Sequence, residues 1–179
     1  MARRALAGVV IVLLLPLLAR AAGDGRIAGV PVQIKRLLLV DDAPAVLLMD
    51  AAESRYLLVF VDVSMAQAIQ TGILAPVLER PLTHDLIGIF LRRFGATLAK
   101  VTITGVKDNT YYALLTLVVN GKPEDIDARP SDAFALAVRS KAPIFAAPEL
   151  LRPVQGLPSG GAAPPQDAPE TPVPPRLRT

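Results

Sequence analysis

The sequence predicts an α+β fold, with a mixed, largely antiparallel sheet covered by helices. Three observations carry that expectation. Short apolar stretches are separated by brief polar turns, as strands joined by hairpins are. Three amphipathic stretches each follow a hydroxyl residue suited to starting a helix. The order of elements (strands, helices, a hairpin, a strand and a helix) is not the strict alternation of a parallel α/β sheet.

Residues Val32 to Val40 read as the first strand, interrupted in its apolar character by Lys35-Arg36. Asp41-Asp42-Ala43-Pro44 is a turn, Ala45 to Asp50 a second strand, and Tyr56 to Val61 a third. This is the pattern of an antiparallel meander. Ser64 is placed to cap a helix over Met65 to Thr71 that ends at Gly72, and Thr83 a longer one to Phe94 that ends at Gly95. In the longer helix Leu86, Ile87, Phe90, Leu91 and Phe94 recur at helical spacing. Leu98 to Val106 and Tyr111 to Val119 form a hairpin, and Asn120-Gly121 is the next turn signal. Glu124 to Ala128 is a short strand leading into a helix from Ser131 to Ser140. Pro143 to Ala146 adds an edge strand, and Pro148 to Leu151 a helical turn.

The two ends of the chain differ from this middle. Arg3 and Arg4 precede an apolar run from Leu6 to Ala19, and Ala19-Arg20-Ala21 suits a cleavage site. The run is short for a bilayer span, so residues 1–21 read as a secretory signal peptide. The expected location is therefore periplasmic or secreted, with no stable membrane insertion after cleavage. The segment 153–179 holds 8 of the chain's 17 prolines and almost no large apolar residues, and reads as a disordered, Pro-rich tail. Residues 25–152 remain as one domain, large enough for a single core.

Removing the signal also changes the charge balance. The chain carries 19 basic and 16 acidic residues, and loss of Arg3, Arg4 and Arg20 leaves 16 of each. The basicity belongs to targeting and gives no general electrostatic drive toward nucleic acid. With no cysteine and a single histidine, thiolate chemistry and a multi-His zinc site are both excluded. A metal would have to sit among carboxylates, which suits Mg or Mn.

One phrase occurs twice: Arg-Pro, then a hydroxyl residue, then an aspartate opening an apolar helix. The copies are Arg80-Pro81-Leu82-Thr83-His84-Asp85-Leu86 and Arg129-Pro130-Ser131-Asp132-Ala133-Phe134. Free N–H groups and the helix dipole favour anions at such starts. Arg80 and Arg129, with Thr83 and Ser131, are candidate phosphate-binding residues. Histidine ordinarily titrates near neutrality, so His84 is the candidate proton carrier. Asp85, Asp127 and Asp132 are the acids that could act with it. Asp85 is adjacent in sequence, and neighbours on a helix do not face each other, so Asp127 or Asp132 fits better. Asp125 and Asp127 share one face of their strand, and with Asp132 form the candidate metal set. Each feature also has a purely structural explanation, as a capped helix start or a solvated edge. Of Tyr111 and Tyr112 only one can face the core, and an exposed tyrosine could stack on a base.

The doubled phrase also resembles the bifunctional nuclease domain family. Pro44-Ala45-Val46-Leu47-Leu48 with Asp50 is similar to its early strand, and Ala66-Gln67-Ala68-Ile69 to its first helix. Arg80 to Leu86 is similar to its most distinctive motif. Asp127 to Ala133, then Ala135-Leu136-Ala137 and Ala142-Pro143-Ile144, is similar to its C-terminal signature. The resemblance covers Val32 to Leu151 and implies a hydrolase acting on RNA or DNA. Two positions depart from the pattern: Met65 stands where the family usually has an acid, and Asp62 where it usually has a glycine. The alternative is an exported, non-catalytic interaction module whose helix starts are structural. The apolar composition also permits a homo-oligomer.

Overall fold

A computed structural model describes residues 29–157. The proposed signal peptide and most of the Pro-rich tail lie outside those residues. Eight strands form one sheet in the order β6-β5-β4-β7-β1-β2-β3-β8. They are β1 (Val30–Val40), β2 (Ala43–Asp50), β3 (Arg55–Phe60), β4 (Ala96–Lys107), β5 (Thr110–Val119), β6 (Lys122–Ala128), β7 (Ile144–Ala146) and β8 (Arg152–Pro153). Every pairing is antiparallel except β4 with β7. Three helices, α1 (Val63–Leu74), α2 (Thr83–Arg93) and α3 (Pro130–Ser140), complete the α+β fold.

The hairpin turns follow from residues that tolerate left-handed backbone. Asp41 and Asp42, Asp108 and Asn109, and Asn120 and Gly121 are consecutive pairs at positive φ, the requirement of tight type I′ hairpins. Lys35, which interrupts the apolar run of β1, sits at a shift in register between Ile34 and Arg36 and reaches Glu53 at 2.6 Å. A bulge of this kind breaks the two-residue alternation locally and absorbs the misplaced charge.

The near-continuous apolar run of β2 is explained by burial on both faces. Val46 and Leu48 join the main core with Leu57, Val59, Val101, Ile103, Met65, Ile69 and Phe134. Ala45, Leu47 and Met49 point the other way, with Val40, Tyr56 and Leu58, and are covered by Val154 and Leu157. Period-two alternation sends neighbours to opposite faces, so only a strand covered twice can be apolar throughout.

Several expectations are corrected. The strand expected at an edge, over Pro143 to Ala146, is an interior one: β7 lies between β4 and β1. Its short length gave no sign of that position, but Ile144 and Ala146 are buried as an interior strand demands. The fold also continues beyond Arg152, because Pro153 pairs with Arg55 and Val154 N–H donates to the Ser54 carbonyl at 2.9 Å. The caps fall earlier than the hydroxyl residues suggest, at Asp62, Leu82 and Arg129 in place of Ser64, Thr83 and Ser131. None makes a side-chain cap bond; Pro130 at the start of α3 simply lacks the N–H that a cap would satisfy. Gly72 does not end α1, which runs on to Ala75 at φ 44°. It is instead a close-contact position against α3: an added Cβ would lie 2.5 Å from Val138 Cγ2 and 2.6 Å from Arg139 Nη1.

Candidate functional site

The two Arg-Pro helix starts lie 48 residues apart in sequence and meet in space. His84, in the first turn of α2, places Nε2 3.3 Å from Asp132 Oδ1 in the first turn of α3. An ionised carboxylate can only accept, so Nε2 carries the hydrogen of this contact, and in the neutral ring the lone pair is at Nδ1. His84 is buried, and it is the buried residue of its helix. The apolar residues Leu86, Ile87, Phe90 and Phe94, which the spacing marked as a core face, are exposed instead. The helix packs on α3 and the start of β4, and among the described residues nothing else is set against its outer side.

Asp132 is held from a second direction. Arg129 Nε donates to Oδ2 at 2.7 Å and Nη2 to Oδ1 at 3.3 Å, a two-pronged contact within the first turn of α3. Burial pushes the Asp132 carboxyl upward, but the hydrogen bonds from Arg129 and His84 win and hold it below its ordinary value. It therefore stays an acceptor at neutral pH. Hydrogen bonding to Asp132 and the nearby charge of Asp62 raise Arg129 in turn. Arg129 Nη1 is 3.9 Å from Asp62 Oδ2, so the aspartate that departs from the family pattern faces this network.

Asp85 does different work. Its Oδ2 accepts from the Leu82 N–H at 2.9 Å, and its Oδ1 from Arg139 Nε at 2.6 Å. Burial would raise this carboxyl, yet the Leu82 amide and Arg139 lower it below its usual range. Arg139 Nη1 also donates to the carbonyls of Ala68 and Ala135, at 3.0 and 2.9 Å. Arg139 thus ties all three helices together and fixes the turn that carries His84. Sequence reasoning missed it. The available signal was a lone arginine four residues after Ala135, on the face of an alanine-rich helix that is otherwise buried.

Asp125 and Asp127 do not join the pair. In β6, Ile126 and Ala128 lie opposite Leu115 and Ala113, whose side chains enter the core beneath the helices. Alternation therefore turns Asp125 and Asp127 to the other face of the sheet. Asp125 accepts from Thr116 Oγ1 at 2.6 Å there, and Asp127 is exposed. Among the described residues no three His, Asp or Glu side chains gather as a metal site, so the expected Asp125, Asp127 and Asp132 ligand set is not assembled.

Of the phosphate-binding candidates, Arg80 is exposed and Thr83 lies exposed in the first turn of α2. Ser131 is buried, which leaves it little surface to offer a ligand. Both tyrosines are half-buried, and Tyr111 packs on the core, where burial raises its hydroxyl pKa. Neither offers an open stacking surface.

Beside His84 a cavity of about 720 Å³ opens between α1, α2, α3 and β4. Arg80 and His84 line it, and so do Arg92, Arg139 and Lys141, none of which was an expected site residue.

A model of the bifunctional nuclease domain matches residues 46–156, which is more than half of the chain and includes both helix starts. The chain belongs to the bifunctional nuclease domain family. Among similar proteins are two from Mycobacterium tuberculosis, the uncharacterized protein MT1877 of strain CDC 1551 / Oshkosh and the uncharacterized protein Rv1829 of strain H37Rv. Each is 36% identical over 126 residues, which covers 69% of this chain and 70% of the relative. Within this nuclease-like domain Met65, at the position where the resemblance expects an acid, is buried in the core. No helix among the described residues is long and apolar enough to cross a membrane.

Proposed function

We propose that the domain hydrolyses phosphodiester bonds in RNA or DNA at the junction of the two helix starts. The observation that carries this reading is the His84–Asp132 contact, made across 48 residues by the two motifs that mark the family. In the proposed reaction Asp132 orients the imidazole through Nε2–H and stabilises it when it becomes charged. Nδ1 takes a proton from water as the water oxygen bonds to phosphorus, and the imidazolium returns a proton to the departing sugar oxygen as the P–O bond breaks. Arg80 steadies the phosphate from the cavity side, and the edge of Arg129 turned from Asp132 does so from the other. The described carboxylates form no ready-made cation site.

The test is cleavage of labelled RNA and DNA by the purified chain, with magnesium, with manganese and with chelator, which also tests the expected cation requirement. His84→Ala should lower the rate by about 10²-fold or more, and Asp132→Asn should lower it as well. Equal cleavage by His84→Ala and the parent would overturn the proposal. Sedimentation of the same material tests the expected self-association. The proposed location is outside the cytoplasm; exported chain beginning at Ala22 would support it, and uncleaved chain in the cytoplasmic fraction would oppose it.

The second reading is a non-catalytic interaction module. Two observations favour it: both oxygens of Asp132 already have partners, and the first turn of α1, where Met65 is buried, holds no acid. Complete inactivity on every nucleic acid under all three metal conditions, with unchanged folding, is its expected result.

A further inference from the structure

The cavity beside His84 has a charge balance that the helix-start chemistry does not use. Four cationic residues line it (Arg80, Arg92, Arg139 and Lys141), against one acid, Asp85. Asp85 is already matched by Arg139 at 2.6 Å. Among the described residues no salt bridge joins Arg80, Arg92 or Lys141 to an acid, so three cationic residues line the space without an acidic partner among those residues. They come from three places: Arg80 from the segment before α2, Arg92 from the last turn of α2, and Lys141 from the end of α3. Between them the wall is aliphatic, with Leu78, Ile89, Leu98 and Leu136, and Thr71, Thr97 and Ser140 line it too, the Thr71 and Ser140 hydroxyls donating to the Gln67 and Leu136 carbonyls and keeping lone pairs to accept with. A volume of about 720 Å³ with a mainly apolar wall and a few convergent polar groups suits a small organic ligand. Guanidinium and ammonium groups select for an anionic head, and for phosphate in particular.

We propose that this cavity binds a phosphate monoester with a nucleoside-sized body, a mononucleotide by chemical class. The phosphate lies among Arg80, Arg92 and Lys141, and the body lies on the aliphatic wall with its polar edges near the threonine and serine hydroxyls. This deepens the phosphodiester reading, since His84 lines the same cavity and a bound nucleotide would be the portion of substrate beside the cleaved bond. Its test needs no turnover.

The experiment is calorimetric titration of the full chain with AMP, adenosine, inorganic phosphate and decanoate. AMP should bind, with adenosine and inorganic phosphate each weaker by about tenfold or more. The double variant Arg92→Ala/Lys141→Ala should weaken AMP by about tenfold or more and flatten its salt dependence. Gly88→Leu gives a second route. Gly88 lines the cavity, and a Cβ there meets only Arg92 Nη1, at 3.5 Å, so a larger side chain fills the space without breaking α2. It should abolish AMP binding while the circular dichroism stays that of the parent. Absence of AMP binding, AMP affinity indifferent to both variants, or decanoate binding in place of AMP would each overturn the assignment. AMP binding without cleavage of any nucleic acid would uphold the cavity and sink the hydrolytic reading. Cleavage without AMP binding would do the reverse.

Discussion

Asp50 shows how a single carboxylate outside the candidate site can govern stability. It ends β2 and is buried, and it accepts from Ser54 N–H at 2.8 Å, Ser54 Oγ at 3.0 Å, Arg55 N–H at 3.1 Å and Arg55 Nε at 3.0 Å. Burial opposes its charge, but these donors hold its pKa at about 2, below the ordinary 3.8. A carboxyl lowered in the folded state stabilises fully above its unfolded value and loses that contribution as pH falls through the folded one. Asp50 stabilisation should therefore be complete above about pH 4 and fade toward pH 2. Asp50→Asn should lower the urea midpoint at pH 7 and leave a shallower fall between pH 4 and 2, as read from urea curves at each pH. At this scale the sequence was partly legible. The lone histidine and the aspartates of the doubled phrase drew attention by type, and His84 and Asp132 do meet. Residue type could not show that Asp85 is occupied by Arg139, because that partner lies 54 residues away.

At the scale of elements, the position of α2 depends on how closely α1 and α3 approach. Gly72 permits that approach, and Arg139 crosses it to reach Asp85. Gly72→Ala adds a methyl group where Val138 Cγ2 and Arg139 already stand, and overpacking of this kind costs about 1–3 kcal/mol. It should lower the urea midpoint even though alanine is the better helix former. The side chain of Arg139 is only 12% exposed, and its removal leaves Asp85 Oδ1 without its donor and takes a second donor from the Ala68 and Ala135 carbonyls. Arg139→Ala should cost about 2 kcal/mol or more. Hydrogen exchange should show the loss first in α2, because that helix has little other cover among the described residues. Equal protection of α2 in the variant and the parent would refute this role. The extent of the strands was legible because turn pairs and alternation are local signals. The helix starts were displaced by one to two residues because Pro130, the Asp85 carboxylate and tertiary packing replace the expected hydroxyl caps. The face of α2 was misjudged for a related reason: spacing shows that a helix has an apolar side, but not whether the chain has anything to set against it.

At the scale of the whole molecule, the sheet divides labour between its faces. The helices cover one face and carry the His84–Asp132 junction, so the acids of β6 on the opposite face cannot reach it. The second face is closed over β1, β2 and β3 by a short C-terminal segment, with Val154 and Leu157 set against Leu47, Tyr56 and Leu58. This closure was not legible in the sequence. A proline at 153 and the composition that follows it look like the beginning of a tail, yet Pro153 occupies an edge strand, where a missing N–H breaks no interior ladder. The contribution of the segment can be measured by comparing a chain that ends at Leu157 with one that ends at Arg152. The shorter chain loses the Val154 amide bond to Ser54 and exposes apolar surface on β2 and β3, and burying one aliphatic side chain is worth about 1.5–3 kcal/mol. It should unfold at a lower urea concentration and bind a hydrophobic dye more strongly. AMP affinity should stay unchanged, since the cavity lies among the helices on the other side. If AMP binding were lost with the segment while the chain remained folded, the two faces would be coupled and this division between them would be wrong.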